Sequence, residues 1–438
     1  MNTTIESDQE LFNIINKEQD FQNSHLNLHP KENVMINAAR KVLGSILTNK
    51  YSEGFPGARY YGGTHVIDKI ETLCTSRLKQ FLKLDKRSND EWLFNIQCYS
   101  GSHAELAICM GLLNKGDRIM RIKADSDTAL ENYYQVEYYN LDKKGKGFDM
   151  TDLREKCKIL KPKLLLVPSD VLTVLINYRS LSEICNEFKI FLAADISEIA
   201  LLVSFDRYGK EENDPFRYCD IIYSNTQSSL GGPRGGFLVV NNSKNPGVFQ
   251  KVNSAVFPGL QGGPHNHQIG SFAVQLQGML TSRTSEFVAA ALNNSAVLAQ
   301  TMLEAGIPLL GDGTDTHLVA IDCERLGVSC ELISEILTEC KVRHTYRKFE
   351  ESRSSLMFGT LVYTFRQGSV SQMTILGNLI SHSINLGMEI FNKVEKLDIP
   401  IETKKSIFSE EIGKSNKLKL IFDKVSGIIS ELEIINFD

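Results

Sequence analysis

Residues 162–195 read PKLLLVPSDVLTVLINYRSLSEICNEFKIFLAAD, a stretch in which two short apolar runs flank a more polar segment. The two runs, Pro162–Val167 and Ile190–Asp195, are almost continuously apolar. Such runs are typical of strands in a parallel sheet, because helices cover both of its faces. The stretch therefore predicts two strands of a mostly parallel sheet with a helix between them.

The same alternation of apolar runs and helical patterns continues from about Glu71 to Gly311. Within it, further strands are predicted at Arg118–Ile122, Cys219–Ser224 and Gly236–Val240. A smaller segment follows, with a predicted strand at His317–Asp322 and closing helices. The predicted fold class is α/β, with a mixed, mostly parallel sheet in a large domain and a smaller C-terminal α+β domain.

Two helices are predicted ahead of the sheet. Ser7 and Glu10 form the S-x-x-E capping pattern before an apolar run at helical spacing. The second predicted helix covers residues 32–48. The predicted segments are an N-terminal helical arm (1–50), a large domain (51–305) and a C-terminal small domain (306–438).

Charge and hydropathy exclude several classes of protein. The chain has 438 residues, with 48 Lys+Arg against 53 Asp+Glu and a formal net charge of −5. This balance, without a basic block, argues against nucleic acid as a partner. The sequence also lacks the ~18 continuous apolar residues of a membrane span, so no membrane partner is predicted.

The cysteines and the N-terminus predict a reducing compartment. The nine cysteines form no C-x-x-C pair and lie mostly in apolar runs, which favours buried, reduced thiols over a zinc site. The pair His265 and His267 lacks a third ligand nearby, so we predict no metal site. The N-terminus has no apolar targeting core, and we predict a cytoplasmic location.

Three stretches are expected beyond the carboxyl ends of the strands, where α/β sheets bind ligands. Ser100, Gly101 and Ser102 precede an apolar helix, so they either cradle an anion or form a plain turn. Asp195 ends a strand, where a carboxylate is either a ligand contact or a helix N-cap. Residues 224–240, SNTQSSLGGPRGGFLVV, offer glycines for tight turns.

In this order, these stretches resemble the serine hydroxymethyltransferase family of fold-type I pyridoxal-phosphate enzymes. The resemblance is carried by LGSILTNKYSEGFPGARYYGG (Leu43–Gly63), SGS at Ser100, ADIS at Ala194, LGGPRGG at Leu230, FPGLQGGPHNH at Phe257 and GTDTHL at Gly313. It implies an aspartate-aminotransferase-like large domain and a dimer. It also implies pyridoxal phosphate as cofactor and glycine hydroxymethyltransferase activity, in which serine and tetrahydrofolate give glycine and methylenetetrahydrofolate.

The resemblance fails at the position that carries the covalent chemistry. Family members present a lysine that forms the Schiff base, and this chain has Ser228 there, with Gln227 in place of the preceding histidine. A hydroxyl cannot form an imine with an aldehyde. The usual resting form of the enzyme is therefore chemically excluded.

Other departures from the family pattern point the same way. Glu198 stands where a histidine is expected near the cofactor, and Ala129 where a histidine stacks on its ring. Met357 replaces the arginine that binds the substrate carboxylate, and it cannot make that bidentate pair. Lys31 and Asp170 each replace a serine.

These changes shift the charge of the pocket toward negative. A lysine and an arginine are lost and two carboxylates are gained, with one lysine added back, a change of roughly three units. Each lost charge-assisted bond is worth about 1.5–3 kcal/mol, and Asp195 alone does not offset them. We predict that pyridoxal phosphate and an amino-acid substrate lose their usual contacts, and that the chain alone does not interconvert serine and glycine.

The best-kept family positions are those that a subunit lends to its neighbour. The resemblance implies catalytic roles for Glu53 and Tyr61 in a partner's site, and cofactor contacts there for Tyr51, Gly262 and Gly263. The kept positions of the chain's own pocket are Ser100, Gly101, Ser102, Asp195 and Arg234.

We therefore predict a serine hydroxymethyltransferase-like, catalytically inactive subunit that dimerises or regulates, linked to glycine, serine and folate one-carbon metabolism. Its partner is a second copy or an active paralogue. Three alternatives stay open. The kept loops only build a homodimer; the chain is an active glycine hydroxymethyltransferase, with Lys31 as the replacement amine; or it is a scaffold without a metabolic role.

Overall fold

The computed structural model describes residues 8–87, 89–123, 129–349, 354–397 and 400–435. The strands in these ranges are β1 (Leu26–Asn27), β2 (Gly54–Phe55), β3 (Ala58–Arg59), β4 (Trp92–Asn95), β5 (Arg118–Ile122), β6 (Gln135–Tyr139), β7 (Leu164–Val167), β8 (Phe191–Asp195), β9 (Ile221–Asn225), β10 (Gly236–Asn241), β11 (Leu318–Asp322), β12 (Val342–Arg343), β13 (Thr345–Lys348) and β14 (Ser354–Gly359).

The α-helices are α1 (Gln9–Ser24), α2 (Asn37–Leu43), α3 (His65–Phe81), α4 (Leu84–Arg87), α5 (Gly101–Leu112), α6 (Met150–Leu160), α7 (Tyr178–Phe188), α8 (Ala200–Ser204), α9 (Pro215–Tyr218), α10 (Val248–Ser254), α11 (Asn266–Met279), α12 (Ser282–Glu304), α13 (Cys323–Leu326), α14 (Cys330–Glu339), α15 (Leu361–Phe365), α16 (Val370–Glu395), α17 (Ile401–Lys414) and α18 (Asn416–Glu431). None of the helices in the described ranges is long and apolar enough to cross a membrane.

The chain forms two compact units, Lys31–Ala289 and Met1–Pro30 with Ala290–Asp438. These bounds differ from the predicted segments, because the predicted N-terminal arm divides at Pro30. The physical reason is that β1 pairs in parallel with β12, with Leu26 opposite Val342. This ladder places the N-terminal residues in the same unit as the C-terminal part.

The unit Lys31–Ala289 contains a seven-stranded sheet in the order β4-β10-β9-β8-β7-β5-β6. Neighbours from β9 to β6 pair in parallel, whereas β10 is antiparallel to β9 and to β4. The predicted mixed, mostly parallel sheet is confirmed. Each predicted strand lies within one or two residues of an observed one, because β7 and β10 are buried along their whole length.

The predicted helix over residues 32–48 is wrong in extent. The α-helix begins only at Asn37 and ends at Leu43, and a 3₁₀ turn, Ile46–Asn49, follows. The preceding residues are tied to distant parts of the chain. The Asn33 amide donates to the carbonyls of Ser228 and Ser229, and the Ile36 N–H donates to the Gln275 side chain. These bonds hold the backbone out of a helix.

The first predicted helix exists, but its cap differs from the prediction. Asp8 is the N-cap of α1 and accepts a hydrogen bond from the Leu11 N–H at 3.1 Å. Ser7 lies outside the described residues. No residue of Gln9–Ser24 is buried, so this helix contributes little to the core of its unit.

The second unit is built on a three-stranded antiparallel sheet in the order β11-β14-β13. The predicted strand His317–Asp322 corresponds to β11. The core of this unit combines sheet residues such as Val319 and Phe358 with residues from α14, α16 and α18. The buried Arg366 guanidinium donates to the carbonyls of Asn23, His25 and Glu433, which ties the described ends of the chain together.

Candidate functional site

The predicted anion cradle lies at the start of a twelve-residue helix, α5. Ser100 is its N-cap and accepts from the His103 N–H at 3.2 Å. The backbone here is closely packed, since a Cβ on Gly236 would lie 2.4 Å from the Ser100 carbonyl oxygen. A Cβ on Gly101 would lie 3.2 Å from the Asn225 nitrogen. The free N–H groups of a helix start attract anions, so this turn suits a phosphate group.

Asp195 lies at the end of β8, at the same edge of the sheet. Its carboxylate accepts from both the N–H and the hydroxyl of Ser197. Helix α8 begins at Ala200, so Asp195 is not its N-cap, and that alternative is wrong. Burial raises the pKa of Asp195 to about 7, and the Asp170 charge adds to this effect.

The turn after β9 holds Ser228 in a fixed hydrogen-bonded position. The Asn225 Oδ1 accepts from the Ser228 N–H at 2.8 Å, and the Asn225 Nδ2 donates to the Ser228 Oγ at 3.0 Å. Ser228 is only 2% exposed. Because Asn225 also contacts Gly101, it connects the anion cradle to Ser228.

Glu198 is the second member of this polar cluster. Burial raises the pKa of Glu198 to about 8, and the charge of Asp170 raises it further, whereas Lys31 and a hydrogen bond from Ser228 oppose the rise. Lys31 lies 3.0 Å from Asp170, with 54% of its side chain exposed. The four residues Lys31, Asp170, Glu198 and Ser228 form what we call the acid cluster.

The raised pKa of Glu198 bears on the neighbouring Ser228 hydroxyl. Because its pKa is about 8, the Glu198 carboxyl group is mostly protonated at neutral pH. It is therefore a poor base for the Ser228 hydroxyl. The Lys31 ammonium forms an ion pair with the Asp170 carboxylate at 3.0 Å. Lys31 lies in a turn, ahead of the predicted helix over residues 32–48.

Three other predicted site residues, Arg234, Met357 and Ala129, lie in other elements of the fold. Arg234 is exposed on the loop between β9 and β10. Met357 belongs to the second unit, where it is buried in β14 opposite Ala320 and Thr345. Residues 127 and 128 lie outside the described residues, and only the backbone of Ala129 is described, at the start of a 3₁₀ turn.

Residues 51–63, which we call the exchange loop, are held by one buried arginine. Only 3% of the Arg59 side chain is exposed, and it bonds to Asp68 at 2.8 Å and to Glu71 at 2.7 Å. The same guanidinium donates to the carbonyls of Ser52 and Gly54. The base of the loop is therefore fixed from within the chain.

The tip of the exchange loop presents tyrosines to solvent. Tyr51 is 60% exposed, Tyr60 65% and Tyr61 39%. The Tyr61 hydroxyl accepts from the Glu53 N–H at 2.9 Å, and the rings of Tyr51 and Tyr61 stack at 6.5 Å. The structure brings the predicted trio Tyr51, Glu53 and Tyr61 together.

The turn at Gly262 and Gly263, which is also predicted to reach a partner's site, packs against the exchange loop. A Cβ on Gly263 would lie 2.9 Å from the Tyr51 ring, and the Tyr99 hydroxyl donates to the Gly263 carbonyl at 2.8 Å. Gln261 donates to the Gln97 carbonyl at 2.7 Å. The loop and the turn thus form one connected surface.

Gln97 links the exchange loop to the turn at Gly262 and Gly263. Its side chain donates to Glu71 at 2.8 Å and to the Gly54 carbonyl at 3.1 Å. Sequence reasoning did not single out Arg59, Glu71, Gln97 or Gln261. The arginine inside the GARYYGG run has its partners within twelve residues, whereas Gln97 and Gln261 are 164 residues apart and no local pattern links them.

The histidine pair near this turn has a packing role. The His265 ring stacks on Tyr99 with the centroids 4.1 Å apart, and its Nδ1 contacts the Gln268 side chain. Within the described ranges, no group of three or more His, Cys, Asp or Glu side chains could hold a metal ion.

Comparisons with known proteins show which family this sequence is similar to. The sequence model of the family described as serine hydroxymethyltransferase matches residues 4–378. Serine hydroxymethyltransferase 3, chloroplastic, of Arabidopsis thaliana is 31% identical over 450 residues, covering 98% of this chain and 84% of that protein. The serine hydroxymethyltransferase of Plasmodium falciparum is 31% identical over 408 residues, covering 89% of this chain and 90% of that protein. The mitochondrial enzyme of Saccharomyces cerevisiae is 28% identical over 459 residues, covering 98% and 92%.

Proposed function

The chain belongs to the serine hydroxymethyltransferase family, and from this premise we propose that it is a non-catalytic subunit that completes a partner's active site. The family has the fold-type I architecture, to which the mixed, mostly parallel sheet belongs. Its members are typically oligomeric. The partner in this proposal is an active paralogue, and the link is to glycine, serine and folate one-carbon metabolism.

A contrast between two parts of the same unit carries the proposal. The position of the covalent lysine is occupied by Ser228, buried and hydrogen-bonded within the acid cluster. The exchange loop is by contrast firmly anchored through Arg59 and exposes Tyr51 and Tyr61. In this proposal, the exchange loop completes a neighbour's active site, whereas the chain's own site lacks the covalent lysine.

The family implies pyridoxal phosphate, and the residues of this chain fit only part of that molecule. The start of α5 suits the phosphate, and Asp195 suits the ring nitrogen as a buried carboxyl. The aldehyde end does not fit, because position 228 offers a hydroxyl in place of an amine and the Lys31 ammonium is paired with Asp170. We therefore assign this chain no chemical step through the cofactor.

Co-expression with an active family member tests the proposal. The active partner carries a Glu→Gln change at its own counterpart of Glu53, so that it needs the loop of another chain. We expect the mixed dimer to recover serine cleavage, and Glu53→Gln in this chain to abolish that recovery. Exposed Glu183 on α7 provides the matched control, since Glu183→Gln leaves the recovery unchanged.

Two results would contradict this function. The first is purification of homodimers or monomers only, with no mixed dimer. The second is a mixed dimer whose activity does not depend on Glu53. The predicted cytoplasmic location is likewise a proposal, to be checked by fractionation, since the names of relatives include chloroplastic and mitochondrial proteins.

A further inference from the structure

Two buried cysteines of the second unit face each other. Cys323 is the first residue of α13, and Cys330 is the first residue of α14. Their sulfur atoms lie 3.2 Å apart, and both residues are free thiols. The sulfur atoms of a disulfide lie about 2.05 Å apart, so a movement of only about 1.2 Å separates this pair from a covalent bond.

The surroundings of Cys330 favour its thiolate form. The pKa of the Cys330 thiol is lowered, chiefly because Cys323 hydrogen-bonds to its sulfur. The Ser354 hydroxyl and the Lys348 charge act in the same direction, against burial and the Glu331 charge. Cys330 also begins a ten-residue helix, and the dipole of a helix stabilises negative charge at this end.

The other cysteines differ from Cys330 in this respect. Burial raises the pKa of Cys157 and of Cys340 to about 11. Burial also raises the pKa of five further thiols, those of Cys74, Cys98, Cys109, Cys185 and Cys219. The pKa of Cys323 is raised by its hydrogen bond with Cys330 and by burial. Because the thiolate is the form that reacts with oxidants, oxidation of this chain should begin at Cys330.

We infer that Cys323 and Cys330 form a peroxide-sensitive dithiol that closes reversibly to a disulfide within the chain. In the first step, the Cys330 thiolate attacks one oxygen of hydrogen peroxide, the O–O bond breaks, and hydroxide leaves. This step gives a sulfenic acid on Cys330. In the second step, the Cys323 sulfur attacks the Cys330 sulfur, the S–O bond breaks, and water leaves with the Cys323 proton. Two thiols have then lost two electrons to one peroxide molecule, which becomes two water molecules.

Burial of the pair selects a small, neutral oxidant such as hydrogen peroxide. Neither sulfur is open to a bulky reagent, because Cys323 and Cys330 are both buried. The segment between them, however, lies at the surface. Gly327 and Ser329 are exposed, and with Val328 they line a surface cavity of about 600 Å³. The two thiols are therefore one short loop away from solvent.

Brief exposure of the full-length chain to hydrogen peroxide tests the inference. The reaction is quenched with acid, the chain is unfolded with an alkylating reagent, and its peptides are analysed by mass spectrometry. We expect two of the nine thiols to escape alkylation, with Cys323 and Cys330 joined in one cross-linked peptide. A dithiol reductant should restore both. Cys330 should be oxidised at least tenfold faster than Cys340, because each unit of pKa difference changes the thiolate fraction about tenfold.

Serine variants separate the roles of the two thiols. Cys323→Ser should leave the sulfenic acid on Cys330 without a partner, so dimedone should label it several-fold more than in the native chain. Cys330→Ser should leave Cys323 unoxidised under the same exposure. The matched control is Cys340→Ser, a buried thiol of the same unit, which should leave the disulfide unchanged. Circular dichroism shows whether each variant is folded.

Three results would overturn the inference. The first is oxidation of Cys330 no faster than that of Cys340. The second is an oxidised Cys330 in the native chain without a bond to Cys323. The third is a disulfide that forms only after the chain is unfolded. The measurements on the native chain decide these points even where a variant fails to fold. None of them affects the mixed-dimer test, which depends on Glu53 in the other unit.

Discussion

At position 228, the hydroxyl group belongs to a hydrogen-bonded polar cluster. Ser228 is held by Asn225 on one side and contacts Glu198 on the other. A single Ser228→Lys substitution would therefore place an amine directly against the Glu198 carboxyl group. The local chemistry, and not only the missing side chain, opposes covalent attachment of an aldehyde.

Ser228→Lys alone should leave the chain nearly unreactive toward pyridoxal phosphate. The new lysine would pair with Glu198 and stay protonated, and an ammonium is not a nucleophile. Ser228→Lys with Glu198→Gln should give several-fold more adduct. Borohydride reduction and peptide mass spectrometry measure this. Equal labelling of the two variants at position 228 would contradict the expectation.

Stability should depend on pH through the same carboxyl group. Burial raises the pKa of Glu198 from its ordinary value of 4.5 to about 8 in the folded chain. The folded state therefore binds this proton more tightly than the unfolded state does. The resulting stabilisation is fully present below the lower pKa and is lost as the pH rises through the folded pKa. Each tenfold difference in proton affinity between the two states corresponds to about 1.4 kcal/mol.

Urea unfolding at about pH 5 and about pH 9 checks this dependence. The native chain should lose stability toward the higher pH, and Glu198→Gln should lose less. Asp195, whose pKa is raised to about 7 by burial, acts in the same direction and remains in the variant. A variant with the same pH dependence as the native chain would show that Glu198 is not the group responsible.

At the scale of secondary-structure elements, burial decided what the sequence could predict. Strands such as β7 and β10 are buried throughout, so an apolar run alone located them. The helix over residues 32–48 was overestimated, because the Asn33 and Ile36 hydrogen bonds to distant residues leave no local signal. The bond between Gln97 and Gln261 joins residues 164 apart, and no spacing rule predicts such a pair.

The exchange loop should collapse when its buried anchor is removed. Arg59→Ala leaves Glu71 buried without its ion-pair partner, which is expected to cost about 3–5 kcal/mol. The exposed pair of Arg154 and Glu187 is the matched control, and Arg154→Ala should cost about 0–1 kcal/mol. Denaturant unfolding measures both free energies. Similar losses in the two variants would contradict a structural role for Arg59.

At the scale of the whole chain, sequence predicted the family and the sheet better than the boundaries. Motif runs such as FPGLQGGPHNH at Phe257 carried the family resemblance, and the family match over residues 4–378 confirms it. The boundary at Pro30 depends on the short ladder between β1 and β12, and two residues of strand are too few for a pattern to indicate.

Two truncations test how the first thirty residues contribute to their unit. Removal of residues 1–20 deletes described residues that are not buried, and should change stability little. Removal of residues 1–30 also deletes Leu26 and Leu28, both 0% exposed, and should destabilise the unit by about 1.5–3 kcal/mol for each leucine. Thermal unfolding compares the two. Equal melting temperatures would contradict the prediction.

The anchoring of the exchange loop also bears on how tightly subunits associate. Arg59, Glu71 and Gln97 all belong to the same chain as the loop, so the loop takes its shape before any neighbour arrives. Flexible segments lose conformational entropy when they order at an interface, and that loss weakens binding. A preorganised loop avoids it. In the proposed dimer, the affinity between subunits is then set by the contacts that Tyr51, Tyr60 and Tyr61 make, with little ordering cost to subtract.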